Sequence, residues 1–413
     1  MIRLIEAKDY KCLRYIRQRL EPFQILVGAN ASGKTTFLDV VGFLQDLLRD
    51  GVERAVRKRA RTLRELVWMQ QGDGFELAIE AVLPESLRES RAPHNIVRYE
   101  VQIITAETGE IQIQTENLWL IDESRDVRRT LPLQLGPFPA SPNPPDTILK
   151  RRTPTGWRKV VGRGEEGRVY VRSETSGWNI GLRPPLDRAG LTVVPEEERF
   201  LAAIYMRDLL LKGVQTLMLQ SVSMREPCPP DAPEVFQPSG SNLPIAVRKL
   251  QQEPMRLQRW LNHLRTVLSD IERIEVRERE SDRYRYLEMH TCTGARIPSW
   301  LMSDGTLRFL ALTLLAYLPG TEGVYLIEEP ENGIHPRAIE AVFQSLSSVY
   351  DAQVLCATHS PVFLNVAQPS QILCFARTEQ GETDIVRGDE HPRLKKWRNE
   401  TTLGNLLASG VLG

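Results

Sequence analysis

Gly28-Ala29-Asn30-Ala31-Ser32-Gly33-Lys34-Thr35 is the stretch whose reading decides the fold. The apolar run Phe23-Gln24-Ile25-Leu26-Val27 comes before it and reads as a short buried strand. After it, Phe37, Leu38, Val40, Val41, Leu44, Leu47 and Leu48 recur at helical spacing, and Gly51 reads as the stop. Strand, glycine loop and helix in that order are the context in which this pattern cradles phosphate. Gly28 and Gly33 allow a tight turn, so that successive amides through Asn30, Ser32 and Thr36 face an anion. The helix N-terminus adds its partial positive charge. Lys34 is placed to reach the β- and γ-phosphates, and the Thr35 hydroxyl to hold Mg²⁺. The alternative is a glycine turn that merely joins a strand to a helix. Both flanks favour a nucleoside triphosphate site, with Mg²⁺ beside it.

Length and composition narrow the rest. A chain of 413 residues suits two or three lobes, and 41% hydrophobic residues can fill a sizeable core. The 53 basic and 53 acidic residues cancel, so any polyanion site must be a local patch. The five cysteines are scattered without a Cys-x-x-Cys pair, which argues against a disulfide scaffold or a paired-thiol zinc site. The N-terminus lacks the apolar region of a signal peptide, and no apolar run reaches the ~18 residues needed to span a bilayer. A cytoplasmic protein without membrane contact is expected.

Residues 1–27 read as two or three strands, with Ile2, Leu4, Ile5 and Tyr10 to Ile16 as candidates. A basic helical stretch follows with Arg54, Arg57, Lys58, Arg59, Arg61 and Arg64. A solvated helix face is favoured there over a phosphate-contacting surface. Phe75–Val82, Ile96–Thr105 and Ile111–Ile121 alternate as an antiparallel meander. The Pro- and Ser-rich residues 131–156 read as a long loop, and Trp157–Val161 with Arg168–Arg172 as another β-pair. Pro195 opens a helix predicted to run to about Leu219, with three glutamates in its first turn. Helices are predicted over 245–252 and 254–269, and strands over Glu272–Arg279 and Tyr284–Thr291. No heptad pattern is sustained and no internal repeat occurs, so no coiled-coil arm is expected.

The C-terminal part carries three further signals. Ser303-Asp304-Gly305-Thr306 precedes an apolar helix, and taken alone it is no more than a helix cap. Val324–Ile327 reads as a buried strand ending in Glu328-Glu329-Pro330-Glu331, at the strand end where an open α/β sheet places its ligand chemistry. One acid there can hold Mg²⁺ and the next can orient and deprotonate water, the alternative being solvated surface. Val354–Ala357 is a third strand, closing on Thr358-His359-Ser360-Pro361. His359 is either a structural histidine or a γ-phosphate contact, and its strand-end position favours the second.

Together these motifs resemble the ABC-type ATPases of the SMC/RecF branch, and most closely their standalone OLD-like and RecF-like relatives. The P-loop is matched by Gly28–Thr35. The signature loop is matched loosely by Met302–Thr306, and the Walker B strand and D-loop by Val324–Pro336. The switch histidine is matched by His359, and Asn242-Leu243-Pro244 resembles a short motif of the standalone proteins. The resemblance covers roughly the first 50 and last 115 residues. Where the family often has Asp, Glu328 is one methylene longer.

The resemblance implies an α/β P-loop NTPase, an ABC-type ATPase head with an antiparallel β subdomain and an inserted helical region. Residues 1–79 and 296–413 would form the two parts of the head, and 80–295 the meander and insertion. It implies a homodimer in which ATP is sandwiched between one P-loop and the partner's Ser303 and Gly305. Glu329 would act as base, Thr35 and Glu328 as metal ligands, and His359 as γ-phosphate sensor. Gln70 or Gln71 is the Q-loop candidate, and Tyr10 or Tyr15 the adenine-stacking aromatic.

The implied role is DNA repair or anti-phage defence with a separately encoded nuclease or toxin, and DNA as a possible ligand. The alternative is an ATP-dependent regulatory scaffold that holds a partner protein, with hydrolysis incidental. A transporter subunit is disfavoured by the weak signature and the long insertion. With 54 residues after His359, no nuclease domain is expected in this chain.

Overall fold

The computed structural model describes residues 1–126, 138–141, 143–164, 167–394 and 402–412. In chain order the strands are β1 (Ile2–Tyr10), β2 (Leu13–Arg19), β3 (Phe23–Gly28), β4 (Gly74–Val82), β5 (Ile96–Thr105), β6 (Ile111–Ile121), β7 (Trp157–Arg163), β8 (Val169–Arg172) and β9 (Asn179–Leu182). They continue with β10 (Val214–Leu217), β11 (Ile271–Glu278), β12 (Arg285–Thr291), β13 (Arg296–Pro298), β14 (Gly323–Glu328), β15 (Ala352–Ala357), β16 (Ile372–Arg377) and β17 (Thr383–Arg387). An antiparallel sheet of eight runs β2-β1-β4-β5-β6-β7-β8-β9, a sheet of six runs β10-β14-β15-β3-β16-β17, and β11-β12-β13 form a third.

The six-stranded sheet is parallel except for β17, and it is covered on both faces. Its strands are therefore continuous apolar runs whose alternate residues enter different cores. Leu26, Leu326, Leu355 and Leu373 face one core, together with Phe37, Val41 and Leu44 of the helix Lys34–Asp50 and the inner face of the antiparallel sheet. Ile25, Ile327, Cys356 and Cys374 face the other, packed by the helices Leu243–Gln251, Pro254–Arg265, Asp304–Leu314 and Pro336–Ser347. The sheet order sets β15 between β3 and β14, so three loop-bearing strand ends emerge side by side.

The meander appears where the alternation placed it, and so does the β7–β8 pair. Part of the expected 131–156 loop lies outside the described residues. Its remaining part crosses the outer face of the meander, where Ile148 N–H donates to Glu76 at 2.8 Å and Lys150 N–H to Glu100 at 2.9 Å. Beneath it Arg98, fully buried, donates to Glu100 at 2.7 Å, Glu80 at 3.1 Å and Glu6 at 2.8 Å.

The single helix expected over 195–219 is corrected. Helix covers Leu201–Asp208, a π-turn follows over Leu209–Gly213, and β10 then pairs parallel with β14. The apolar spacing of Leu209, Leu210, Val214 and Leu217 fits either period, and pairing with a buried strand overrides helix propensity. Gly323 permits this junction: its φ is +99°, and a Cβ there would lie 2.1 Å from the Gly213 carbonyl. The 79/80 boundary falls inside β4, and the stretch 80–295 supplies strands to all three sheets.

Candidate nucleotide-binding site

The glycine loop joins β3 to the helix Lys34–Asp50. Gly33 caps that helix at φ +107°, and a Cβ on it would lie 2.4 Å from Thr383 Oγ1. A Cβ on Gly28 would lie 2.1 Å from the Phe375 carbonyl, so β16 and β17 press the loop closed from behind. Both positions require glycine. Inside the loop, Lys34 Nζ donates to the Gly28 and Ala29 carbonyls, each at 2.9 Å, and lies 3.4 Å from Ser32 Oγ. Burial pushes the Lys34 ammonium down to about 8, although Glu328 and Glu329 oppose the shift.

Beyond the loop the three strand ends converge. Thr35 Oγ1 donates to Glu328 Oε2 at 2.9 Å. Glu329 adopts φ +48°, its amide donates to the Ala357 carbonyl at 2.8 Å, and its carboxylate accepts from Asn332 Nδ2 at 3.4 Å. His359 follows β15 on the exposed side, and burial, then Lys34, hold its imidazole below the usual value while Glu329 and Glu331 oppose this. One cavity of about 460 Å³ is lined by Asn30, Ser32, Gly33, Lys34, Thr35, Thr36, Glu328, Glu329 and His359. A set of oxygen donors, a flexible cation and an adjacent carboxylate suits phosphoryl chemistry.

Ser303 and Gly305 are not among that lining. Ser303 caps the helix Asp304–Leu314, its Oγ accepting from Thr306 N–H at 3.1 Å. Gly305 packs on the D-loop, where a Cβ would lie 2.7 Å from the Gly333 carbonyl. The signature end is thus exposed beside the Walker B turn and away from its own P-loop cavity.

Both aromatic candidates are corrected. Tyr10 is fully buried between Phe43 and Phe75, with its hydroxyl on Asp39 at 2.6 Å. Tyr15 donates to Glu6 at 3.2 Å beside Ala78, Ile148 and Leu149. Lys11, Cys12 and Arg377 line the cavity instead, brought there by the β1–β2 turn and the end of β16. Single residues in a turn carry no periodic signal, so the sequence did not single them out. Gln70 and Gln71 are exposed and absent from the cavity lining, whereas Gln220, just after β10, lines a cleft with Glu328, Glu329 and Asn332. It was hidden by the misread helix.

Much of the basic run 54–64 is paired. Arg57 meets Glu53, Lys58 meets Asp46 and Asp50, and Arg59 meets Asp39 and Asp46. The solvated-face reading fits this better than a phosphate track. Glu275, Glu288 and His290 cluster on β11 and β12, but Arg273 and Arg277 already neutralise the two carboxylates.

Residues 244–365 match the family described as "AAA domain, putative AbiEii toxin, Type IV TA system". No curated protein matches the chain. Among solved structures, an SMC head bound to the C-terminal winged-helix domain of ScpA is 13% identical with a TM-score of 0.53, covering 93% of this chain and 97% of that one. The SMC head domain from Thermotoga maritima is 10% identical with a TM-score of 0.46, covering 94% and 98%. No helix among the described residues is long and apolar enough to cross a membrane. The sequence match to the AAA-domain family is thus confined to residues 244–365, while over nearly the whole chain the fold is like that of an SMC head.

Proposed function

We propose that the protein is an ATP hydrolase that works as an ATP-clamped homodimer. The observation that carries the reading is the Thr35–Glu328 hydrogen bond, which joins the P-loop to the Walker B acid in one cleft. A hydroxyl and a carboxylate 2.9 Å apart are oxygen donors of the kind Mg²⁺ takes, and Thr35 and Glu328 would hold it. When bound, the ion neutralises charge developing on the phosphates. Lys34 exchanges loop carbonyls for phosphate oxygens, which are stronger acceptors for an ammonium. Glu329 orients and deprotonates the attacking water, and His359 donates to the γ-phosphate.

The exposed signature end supports completion of the pocket by a second copy. Ser303 and Gly305 of each protomer would contact the nucleotide held by the other. ATP then favours the closed dimer through contacts that hydrolysis removes. Among biological roles, anti-phage defence with a separate effector takes its support from the toxin-system wording of the matched family, whereas DNA repair rests on the motif resemblance alone. A second reading, an ATP-gated scaffold for a partner protein, is supported by the solved SMC head that carries a winged-helix domain of ScpA. The test is Glu329→Gln with Mg-ATP: binding without turnover and a dimer by light scattering are expected. A monomer throughout would refute the clamp.

A further inference from the structure

We infer that Glu331 is a positioning residue for His359, acting through the hydroxyl of Thr358. The inference rests on the reading of His359 as a phosphate contact. Among the described residues the His359 side chain has no hydrogen bond, so its place is set by the backbone on either side of it. That backbone is tied to the Walker B turn. Thr358 is fully buried, and its Oγ1 donates to Glu331 Oε1 at 2.6 Å. The same hydroxyl oxygen accepts from Ser360 N–H at 2.9 Å. One hydroxyl therefore grips the residue after His359 while a carboxylate from the turn after β14 fixes the direction of its proton.

Thr358 alone can make the local turn to Ser360. Glu331 adds a charge-assisted acceptor that locks the hydroxyl rotor, so that a lone pair always faces Ser360 N–H. It also links two groups of the site. Glu329 N–H is held by the Ala357 carbonyl, and the His359 loop is held by Glu331, so the β14 and β15 ends are cross-tied in both directions. The second oxygen, Glu331 Oε2, is buried without a hydrogen-bond partner. A carboxylate kept there for stability alone would be a poor choice, because a buried unpaired acceptor is costly. Displacement of a positioned group by ~1 Å can cost about 100-fold in rate, which sets the scale expected here.

The experiment compares Glu331→Ala, Glu331→Gln, Thr358→Val and the Glu331→Ala/Thr358→Val double variant with wild type. Glu331→Ala and Thr358→Val are each expected to lower kcat by roughly 10–100-fold with KM for ATP little changed; Tm should hold in Glu331→Ala and fall in Thr358→Val, which strands the carboxylate. The kcat of the double variant should fall no further, since both remove one linkage. Glu331→Gln keeps an acceptor oxygen and should stay near wild type. Amide exchange over residues 357–363 should quicken in the Ala and Val variants but not in Glu331→Gln. Unchanged kcat in Glu331→Ala, additive losses, or a Gln variant as defective as Ala would overturn the inference. If wild type itself shows no turnover, the ATPase reading fails, and the exchange data alone decide whether Glu331 holds the loop.

Discussion

Thr35 and Glu328 stand 293 residues apart in the chain, yet the threonine hydroxyl reaches the glutamate carboxylate at 2.9 Å. The strand order explains it: β15 separates β3 from β14, all three run parallel, and their carboxyl ends open on one edge. Ligand chemistry in an open α/β sheet belongs at that edge.

Lys34→Ala should lose nucleotide binding. The ammonium is the buried cation of the cavity, and its charge-assisted hydrogen bonds to phosphate are worth about 1.5–3 kcal/mol each. A loss of affinity of at least about tenfold is expected in a fluorescent-nucleotide titration. Unchanged affinity would remove the P-loop assignment.

Acid should switch the enzyme down through His359. Burial and Lys34 disfavour the imidazolium, so the ring is neutral at pH 7 and becomes charged only below the ordinary 6.5. The unfolded chain takes up this proton first. The associated stability is thus present above pH 6.5 and is lost as pH falls through the window below it. The profile of kcat/KM should carry an acid limb below pH 6.5, which His359→Gln removes, and an alkaline limb near pH 8 where the Lys34 ammonium loses its proton, which His359→Gln leaves in place. An acid limb centred above 6.5 would contradict this account.

How much could be read beforehand depended on the kind of signal. That the glycine loop, the Glu328-Glu329 strand end and His359 meet at one sheet edge was legible because each couples a short motif to a buried apolar strand. The meander was legible from period-two alternation. β10 was not, because Leu209 to Leu217 satisfies a helical period as well, and only its pairing with β14 distinguishes the two. Tyr10 was misassigned for a related reason. Its proximity in sequence to the loop says nothing about the Phe43–Phe75 pocket that buries it. The coupling of Glu331 to Thr358 spans 27 residues and leaves no local pattern.

Arg98→Met should destabilise the fold without touching the nucleotide. The guanidinium is fully buried and answers three carboxylates, on Glu6, Glu80 and Glu100. Removing it strands those charges, at an expected cost of about 3–5 kcal/mol in urea unfolding. A change under about 1 kcal/mol would show that the three acids are satisfied without it.

The proposed clamp makes a prediction that no single-chain ATPase shares. Lys34→Ala removes the P-loop cation but leaves the signature end intact, and Ser303→Arg does the reverse, since Ser303 lies outside its own P-loop cavity. Each variant alone should be inactive. In a mixed dimer, the P-loop of the Ser303→Arg chain faces the intact signature of the Lys34→Ala chain, and one complete pocket is restored. Equal mixing should return up to roughly one quarter of wild-type activity, because half of the dimers are mixed and each has one good site of two. Activity that stays at the baseline of the separate variants, while both bind into a common dimer, would mean that Ser303 does not serve the neighbouring nucleotide.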